Sequence, residues 1–272
     1  LVFGDHPYGR TKAGTIDTVT ALSRDDLVTA FKGAIARDRV YVSLVGDISA
    51  TEAMARVDTL LAGLPDVGAP IPDAAVVTLD NDVHVVEFDT PQSVVTFAQH
   101  GIKREDPDFF AAFVLNNILG GGSFESRLMQ EVREKRGLTY GISTYLADKD
   151  LAQLWVGSIA SANGKIAEAI AVIREEWQHM RNDGVTEGEL KDAKTFLTGS
   201  YPLRFDGNGT IANILVGMQM QGLATDYITT RNDKVNAVTL DDVNRVAKDL
   251  MDPKGPQFVV VGKPVGLPDT SN

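Results

Sequence analysis

The sequence predicts an α+β fold of duplicated α/β sandwich units, each a mostly antiparallel sheet covered by helices, with the first unit truncated. Three observations point there. Strand-like alternation gathers at 84–102 and between Tyr140 and Ile159, whereas helical periodicity gathers between 163 and 251. An apolar run, Val259-Val260-Val261, then returns as a closing buried strand. Strands early, helices late and one returning strand suit a layered α+β sandwich better than alternating βαβ units.

The third observation is an internal repeat. VTALSRDDL begins at residue 19 and VNAVTLDDV at 235, an offset of 216. Ser23 and Thr239 are suited to helix N-caps, and the paired aspartates behind them suit a helix N-terminus. A short strand pattern follows each helix, YVSLVGD at 41–47 and FVVVGKP at 258–264; Val45-Gly46 and Val261-Gly262 keep the same offset of 216. Two full copies at this period need more chain than the 272 residues present. Residues 1–65 therefore read as the C-terminal half of a first domain, 66–79 as a Pro/Gly/Ala-rich linker, and 80–268 as a complete second domain.

Within the second copy, HVVEFDTPQSVVTFAQHGI (84–102) reads as two strands broken near Asp89-Thr90-Pro91. Asp106-Pro107 opens a helix with proline in its first turn. Phe109, Phe110, Phe113, Val114 and Ile118 give that helix a wide apolar face, and Gly120, Gly121 and Gly122 end it. Ser123 caps the next helix, which carries Ser126, Arg127, Gln130, Glu131 and Glu134 on its polar side and stops at Gly137. Two paired strands follow around Asp148-Lys149-Asp150, then helices at 163–182, 186–200, 208–221 and 240–251.

Composition narrows the function classes. The formal net charge is −11, which leaves no basic surplus for the phosphates of nucleic acid. No apolar run approaches the ~18 residues needed to span a bilayer, so membrane insertion is not expected. The chain has no cysteine, which removes thiol nucleophiles, disulfides and cysteine zinc sites.

The chemical motifs are few. His84-Val85-Val86-Glu87-Phe88 begins like the zinc motif H-x-x-E-H but ends in Phe, and it alternates like a strand. His84 therefore reads as a polar strand position. His6, His100 and His179 stand apart from it and from one another. No G-x-S-x-G occurs, and the glycine run lacks the Lys-Ser/Thr of a phosphate-binding loop, although its N–H groups ahead of a helix are a conceivable anion site. Arg133 and Tyr140 remain. Arg133 near a helix C-terminus answers the helix dipole, and Tyr140 reads equally as an aromatic edge of the core. The alternative is a pair brought together by the turn at Gly137, one offering a guanidinium fork and the other a phenolic donor.

LGGGSFESRLMQEVREKRGLTYGIS (119–143) resembles the core signature of the insulinase, or pitrilysin-type, zinc peptidases, especially the bacterial and mitochondrial-processing branch. DHPYG near the start, LVGD at 44–47 and YPLRFDGNGTIANILVGMQ at 201–219 fit the same family, so the likeness covers nearly the whole chain. The resemblance implies a clam-like chamber in which an active half holds zinc through H-x-x-E-H and a downstream Glu. The inactive half supplies an Arg and a Tyr seven residues apart, the spacing of Arg133 and Tyr140. By that resemblance the two bind the substrate backbone carbonyl and help stabilise the tetrahedral intermediate at a partner's zinc. The implied role is non-catalytic: peptide binding and chamber closure against a zinc-bearing domain or subunit, or a second copy.

No cofactor is expected in this chain, and zinc is expected in the partner or a missing domain, because H-x-x-E-H is absent here. Two origins stay open: a naturally inactive subunit, or a parent carrying the motif upstream of Leu1. A structural or assembly subunit of peptidase-like fold is the alternative function. Analogy with exported relatives suggests the periplasm, with the cytoplasm as alternative.

Overall fold

The computed structural model describes residues 1–122 and 124–267, so the expected cap Ser123 and residue 268 lie outside the described residues. The chain forms two compact units. Among the described residues, one comprises 3–75 with 200–230, and the other 76–199 with 231–267.

The second unit carries a sheet of five strands among the described residues, in the order β1-β5-β2-β4-β3. These are β1 (Val83–Glu87), β2 (Gln92–His100), β3 (Ile142–Lys149), β4 (Ala152–Ala162) and β5 (Gln257–Gly262). Only β1 and β5 pair in parallel; the other three ladders are antiparallel. The closing strand thus lies between β1 and β2, with Val94 and Val86 both in register with Val261. This is the expected α+β architecture with a mostly antiparallel sheet.

One face of the sheet is dry. Val95, Phe97, Trp155 and Phe258 are fully buried there, and Trp177 of α5 (Ile166–Asp183) packs 5.0 Å from Trp155, centroid to centroid. A Cβ at Gly157 would sit 2.1 Å from the Phe97 ring, so glycine is what lets that ring lie flat on β4. α4 (Phe109–Gly120) is buried along most of its length, which explains its all-round apolar sequence. It begins two residues later than expected, with Asp106 and Pro107 in the preceding turn.

Two buried amide side chains in this core are paired. Asn116 Oδ1 accepts from Thr144 Oγ1 at 2.9 Å and from Trp155 Nε1 at 2.7 Å. Gln99 Oε1 accepts from Trp177 Nε1 and the Asp252 N–H, both at 2.9 Å. Such pairing offsets the desolvation that an unmatched buried amide suffers.

α6 (Glu187–Ser200) starts on a reciprocal cap: Glu189 N–H donates to Thr186 Oγ1 at 3.2 Å, and Thr186 N–H to Glu189 Oε2 at 2.8 Å. α7 (Asn208–Met220) and α9 (Leu240–Leu250) fall where helices were expected; α8 (Tyr227–Ala237), weakly amphipathic, was not foreseen.

The first unit holds α1 (Ile16–Thr20), α2 (Arg24–Ala34), α3 (Ala50–Leu61) and α7, and none of the first three buries a residue. The repeat is visible in the structure. α2 and α9 are both 11 residues long, begin 216 apart, and carry the same capping box, Ser23 with Asp26 and Thr239 with Asp242. The correspondence then breaks. Residues 41–47, the counterpart of β5, form no strand. β5 exists because β1 and β2 offer ladders on both sides. The described residues give 41–47 no such neighbour, and an extended segment without one does not become a sheet.

Candidate functional site

The site is built from the segment between α4 and β3. Each glycine of the run has a separate local cause. A Cβ at Gly120 would meet Thr144 Oγ1 at 2.8 Å, and one at Gly121 would meet Asn117 Cα at 2.6 Å. Gly122 has φ +88°, open to glycine and strained for other residues. The N–H groups of Gly121 and Gly122 are spent on Asn117 O and Gly120 O, so they do not form an anion-binding nest.

Residues Met129–Glu134 then form a π-helical turn, seen in the Lys135 N–H donating to Gln130 O at 2.9 Å. Wide turns of this kind re-aim side chains within a helix and are frequent at functional sites. The outward-facing helix expected here is also more deeply seated than its sequence suggests. Ser126 is buried, and Arg127 makes a double hydrogen bond to Glu189 at 2.6 and 2.9 Å and donates to Gly184 O. Burial opposes the charge on Arg127, but the hydrogen bonds and negative charge of Glu189 outweigh it and hold its pKa raised.

Of the other cations, Lys135 and Arg136 both engage Glu131, at 2.5 and 2.6 Å. Hydrogen bonds from Lys135 first and Arg136 second hold the Glu131 carboxyl below its usual range. Arg133 differs. It meets Glu134 at 3.3 Å and lays its guanidinium over the ring of Phe124, 4.8 Å from the centroid.

Gly137, at φ +58°, turns the chain towards β3. Leu138 is buried, its carbonyl held by the Ser161 hydroxyl, and Thr139 Oγ1 reaches Ala160 O at 2.7 Å. With the two preceding residues fastened to β4, Tyr140 projects outward and is 92% exposed. It is no part of the core.

Tyr140 lines a cavity directly, and Arg133 is linked to it through Phe124. Phe124, which carries Arg133, and Tyr140 line the same cavity of about 420 Å³, together with Met129, Ile142, Val94 and Ala160. Phe124 and Met129 were missed in the sequence. An aromatic residue two positions after a glycine run was the available signal for Phe124.

The donors among the described residues do not fit zinc. His84 Nε2 lies 2.8 Å from Asp80, four residues back, and no group of three or more His, Asp or Glu converges among the described residues. No helix among them is long and apolar enough to cross a membrane.

Residues 21–197 match the family model described as the peptidase M16 inactive domain. The chain belongs to this family. Among curated relatives, this M16 chain is 30% identical over 274 residues to an uncharacterized zinc protease of Streptomyces coelicolor, a match covering 96% of this chain and 58% of that protein. It is 27% identical to a non-peptidase homolog of Helicobacter pylori, covering 91% of this chain and 57% of that protein. Among solved structures, an M16 inactive domain from Pseudomonas fluorescens superposes with a TM-score of 0.84 at 28% identity, over 98% of this chain and 64% of that one. The M16 chain thus spans somewhat under two thirds of the length of each of these relatives.

Proposed function

We propose that this M16 inactive-domain chain binds peptide and closes a peptide chamber against a zinc-bearing domain or partner subunit. The observation that carries the reading is a cavity lined by Phe124 and the exposed Tyr140, with the Arg133 guanidinium resting on the Phe124 ring. Arg133 offers a planar set of donors and Tyr140 a hydroxyl, with nothing in either group able to act as a nucleophile at neutral pH. Together they suit a backbone carbonyl, holding and orienting it while chemistry is supplied elsewhere. Zinc belongs to that other domain or subunit in this reading, since the donors here do not fit it.

The test is direct binding of a fluorescein-labelled unstructured peptide to the chain, read by anisotropy. Tyr140→Phe is expected to weaken binding about twofold to tenfold, the worth of one neutral hydrogen bond, and Arg133→Ala by more than about tenfold, that of a charge-assisted one. Unchanged binding in both variants would overturn the reading.

A second reading, a structural or assembly subunit, draws its support from the H. pylori relative, whose name records a non-peptidase. The readings separate when the chain is combined with a zinc-bearing M16 partner. A more than tenfold fall in kcat/KM with Arg133→Ala favours substrate binding, and unchanged proteolysis favours assembly.

A further inference from the structure

A second cavity, of about 460 Å³, shares no lining residue with the one beside Tyr140. It lies within the second unit, between α6, the end of α8 and the start of α9. Buried Leu190 and half-buried Leu240 supply its apolar wall. Its volume is within the range of small-molecule sites, roughly 300–1,000 Å³.

The charged groups of this cavity are sorted along α6. Glu187 precedes Lys191 by four residues, one turn or about 6 Å along the axis, and Lys194 follows on the same face. Carboxylate and cation at that spacing form a pair at Glu52 with Arg56 and at Glu131 with Lys135. Glu187 and Lys191 form none: neither charged group has an ion pair or hydrogen bond among the described residues. Lys194 is fixed in place, its Nζ donating to Asn236 O at 2.9 Å, and two of its three N–H groups remain. Asp242 does not neutralise it directly. That carboxylate is spent on the α9 cap, accepting from the Thr239 N–H at 2.9 Å and the Thr239 hydroxyl at 2.6 Å. Two lysines three residues apart thus stand as neighbouring like charges, in a chain whose net charge is −11. Such neighbours repel on a helix, and a bound anion relieves the repulsion.

The threonines of the cavity play the opposite part. Thr195 and Thr198 donate their hydroxyl hydrogens to Lys191 O at 2.9 Å and Lys194 O at 2.7 Å. Only their oxygen lone pairs are left, so they accept and cannot hold an anion. The cavity therefore offers two ammonium groups, one carboxylate with hydroxyl acceptors, and an aliphatic wall. A dianion would meet Glu187, a plain amine would meet the lysines, and a hydrocarbon would desolvate all three charges without return.

We infer that this cavity binds a small zwitterion with an aliphatic side chain, that is, an apolar free amino acid. Its carboxylate pairs with Lys191 and Lys194, its ammonium with Glu187, and its side chain packs on Leu190 and Leu240.

The experiment is isothermal titration of the chain with leucine, with 4-methylpentanoate, which is leucine without the amino group, and with 3-methylbutylamine, which lacks the carboxylate. Leucine is expected to bind with a Kd below about 1 mM, and each of the others about tenfold more weakly or worse, the worth of a charge-assisted hydrogen bond. Lys191→Ala is expected to weaken leucine about fivefold or more. Glu187→Gln is expected to do the same to leucine while leaving 4-methylpentanoate as tight or tighter, because it removes a carboxylate that repels that ligand. Neither residue holds a side-chain contact that the fold needs, and thermal melts of both variants check this. Lys194→Gln repeats the test should Lys191→Ala lose its cooperative transition, with the same fivefold loss expected. No saturable heat with leucine, equal affinity for 4-methylpentanoate, or undiminished leucine binding in Glu187→Gln and the lysine variant overturns the inference.

Discussion

The guanidinium of Arg133 lies over the ring of Phe124, 4.8 Å from its centroid, and this contact joins the glycine-rich loop to the π-helical turn. Gln130 Nε2 reinforces it by donating to the Phe124 carbonyl at 3.0 Å. Phe124 is 64% exposed, so the ring contributes little to the core and much to where Arg133 rests. An exposed cation–π contact is worth about 0.5–1 kcal/mol. Phe124→Ala is therefore expected to weaken peptide binding about twofold to fivefold with little change in melting temperature, and Phe124→Tyr to restore it. Titration of a labelled peptide beside a thermal melt checks both.

Tyr140 carries the complementary prediction. Its side chain is almost wholly exposed and makes no packing contribution to the buried core. Tyr140→Phe removes one hydroxyl from open solvent, so stability should stay within about 0.5 kcal/mol of wild type. Any loss of peptide affinity then belongs to the lost hydrogen bond. A melting shift of several degrees would instead assign Tyr140 a packing role.

Much of the fold is legible in the sequence because it rests on local causes. Ser23 and Thr239 cap helices through side chains three residues from their partners, and period-2 alternation located β1 and β2. What could not be read depends on neighbours distant in sequence. Residues 41–47 have the composition of a strand, but a ladder needs a second strand. Arg127 looks like one more surface charge until Glu189, 62 residues away, folds against it. The site shows the same divide. The Arg133–Tyr140 spacing was visible, whereas Phe124 gained meaning only once the fold set it beside Tyr140 on one cavity.

The Arg127–Glu189 strap predicts a pH dependence. Burial alone would raise Glu189, but the hydrogen bond from Arg127, the Thr186 N–H and the Arg127 charge together hold it below its ordinary value. A carboxyl depressed on folding adds stability above its unfolded pKa, about 4.3, and loses it as pH falls through the folded value. Glu176, raised by burial first and by Glu131 second, acts with the opposite sign: its stabilising contribution is present at low pH and lost as pH rises through its folded value. Glu189→Gln should thus cost about 1–2 kcal/mol at pH 7, a charge-assisted bond discounted for partial exposure. The gap to wild type should narrow below pH 4. Thermal melts of both proteins at pH 7 and pH 3.5 give the comparison, and a gap that stays constant would show that Glu189 acts through packing alone.

The repeated helix offers a matched pair of substitutions. In α2, the Asp26 N–H donates to Ser23 Oγ at 3.2 Å; in α9, the Asp242 N–H donates to Thr239 Oγ1 at 3.1 Å. Removing such a cap costs about 1 kcal/mol of local helix stability in either place. The surroundings differ. α9 buries Val243, Val246 and Ala247 in the main core, whereas α2 buries nothing and leaves Leu27 and Phe31 more than half exposed. A helix coupled to a core passes its loss on to global unfolding, while one without such coupling opens locally. Thr239→Ala is expected to lower the midpoint of the main cooperative transition by about 2–4 °C. Ser23→Ala should leave that midpoint unmoved and instead speed amide exchange across 24–34. Hydrogen exchange read by mass spectrometry should also find 3–75 exchanging faster than the sheet of the second unit in the wild-type chain. Equal protection in α2 and α9 would show that α2 is held by contacts as strong as those of its repeat.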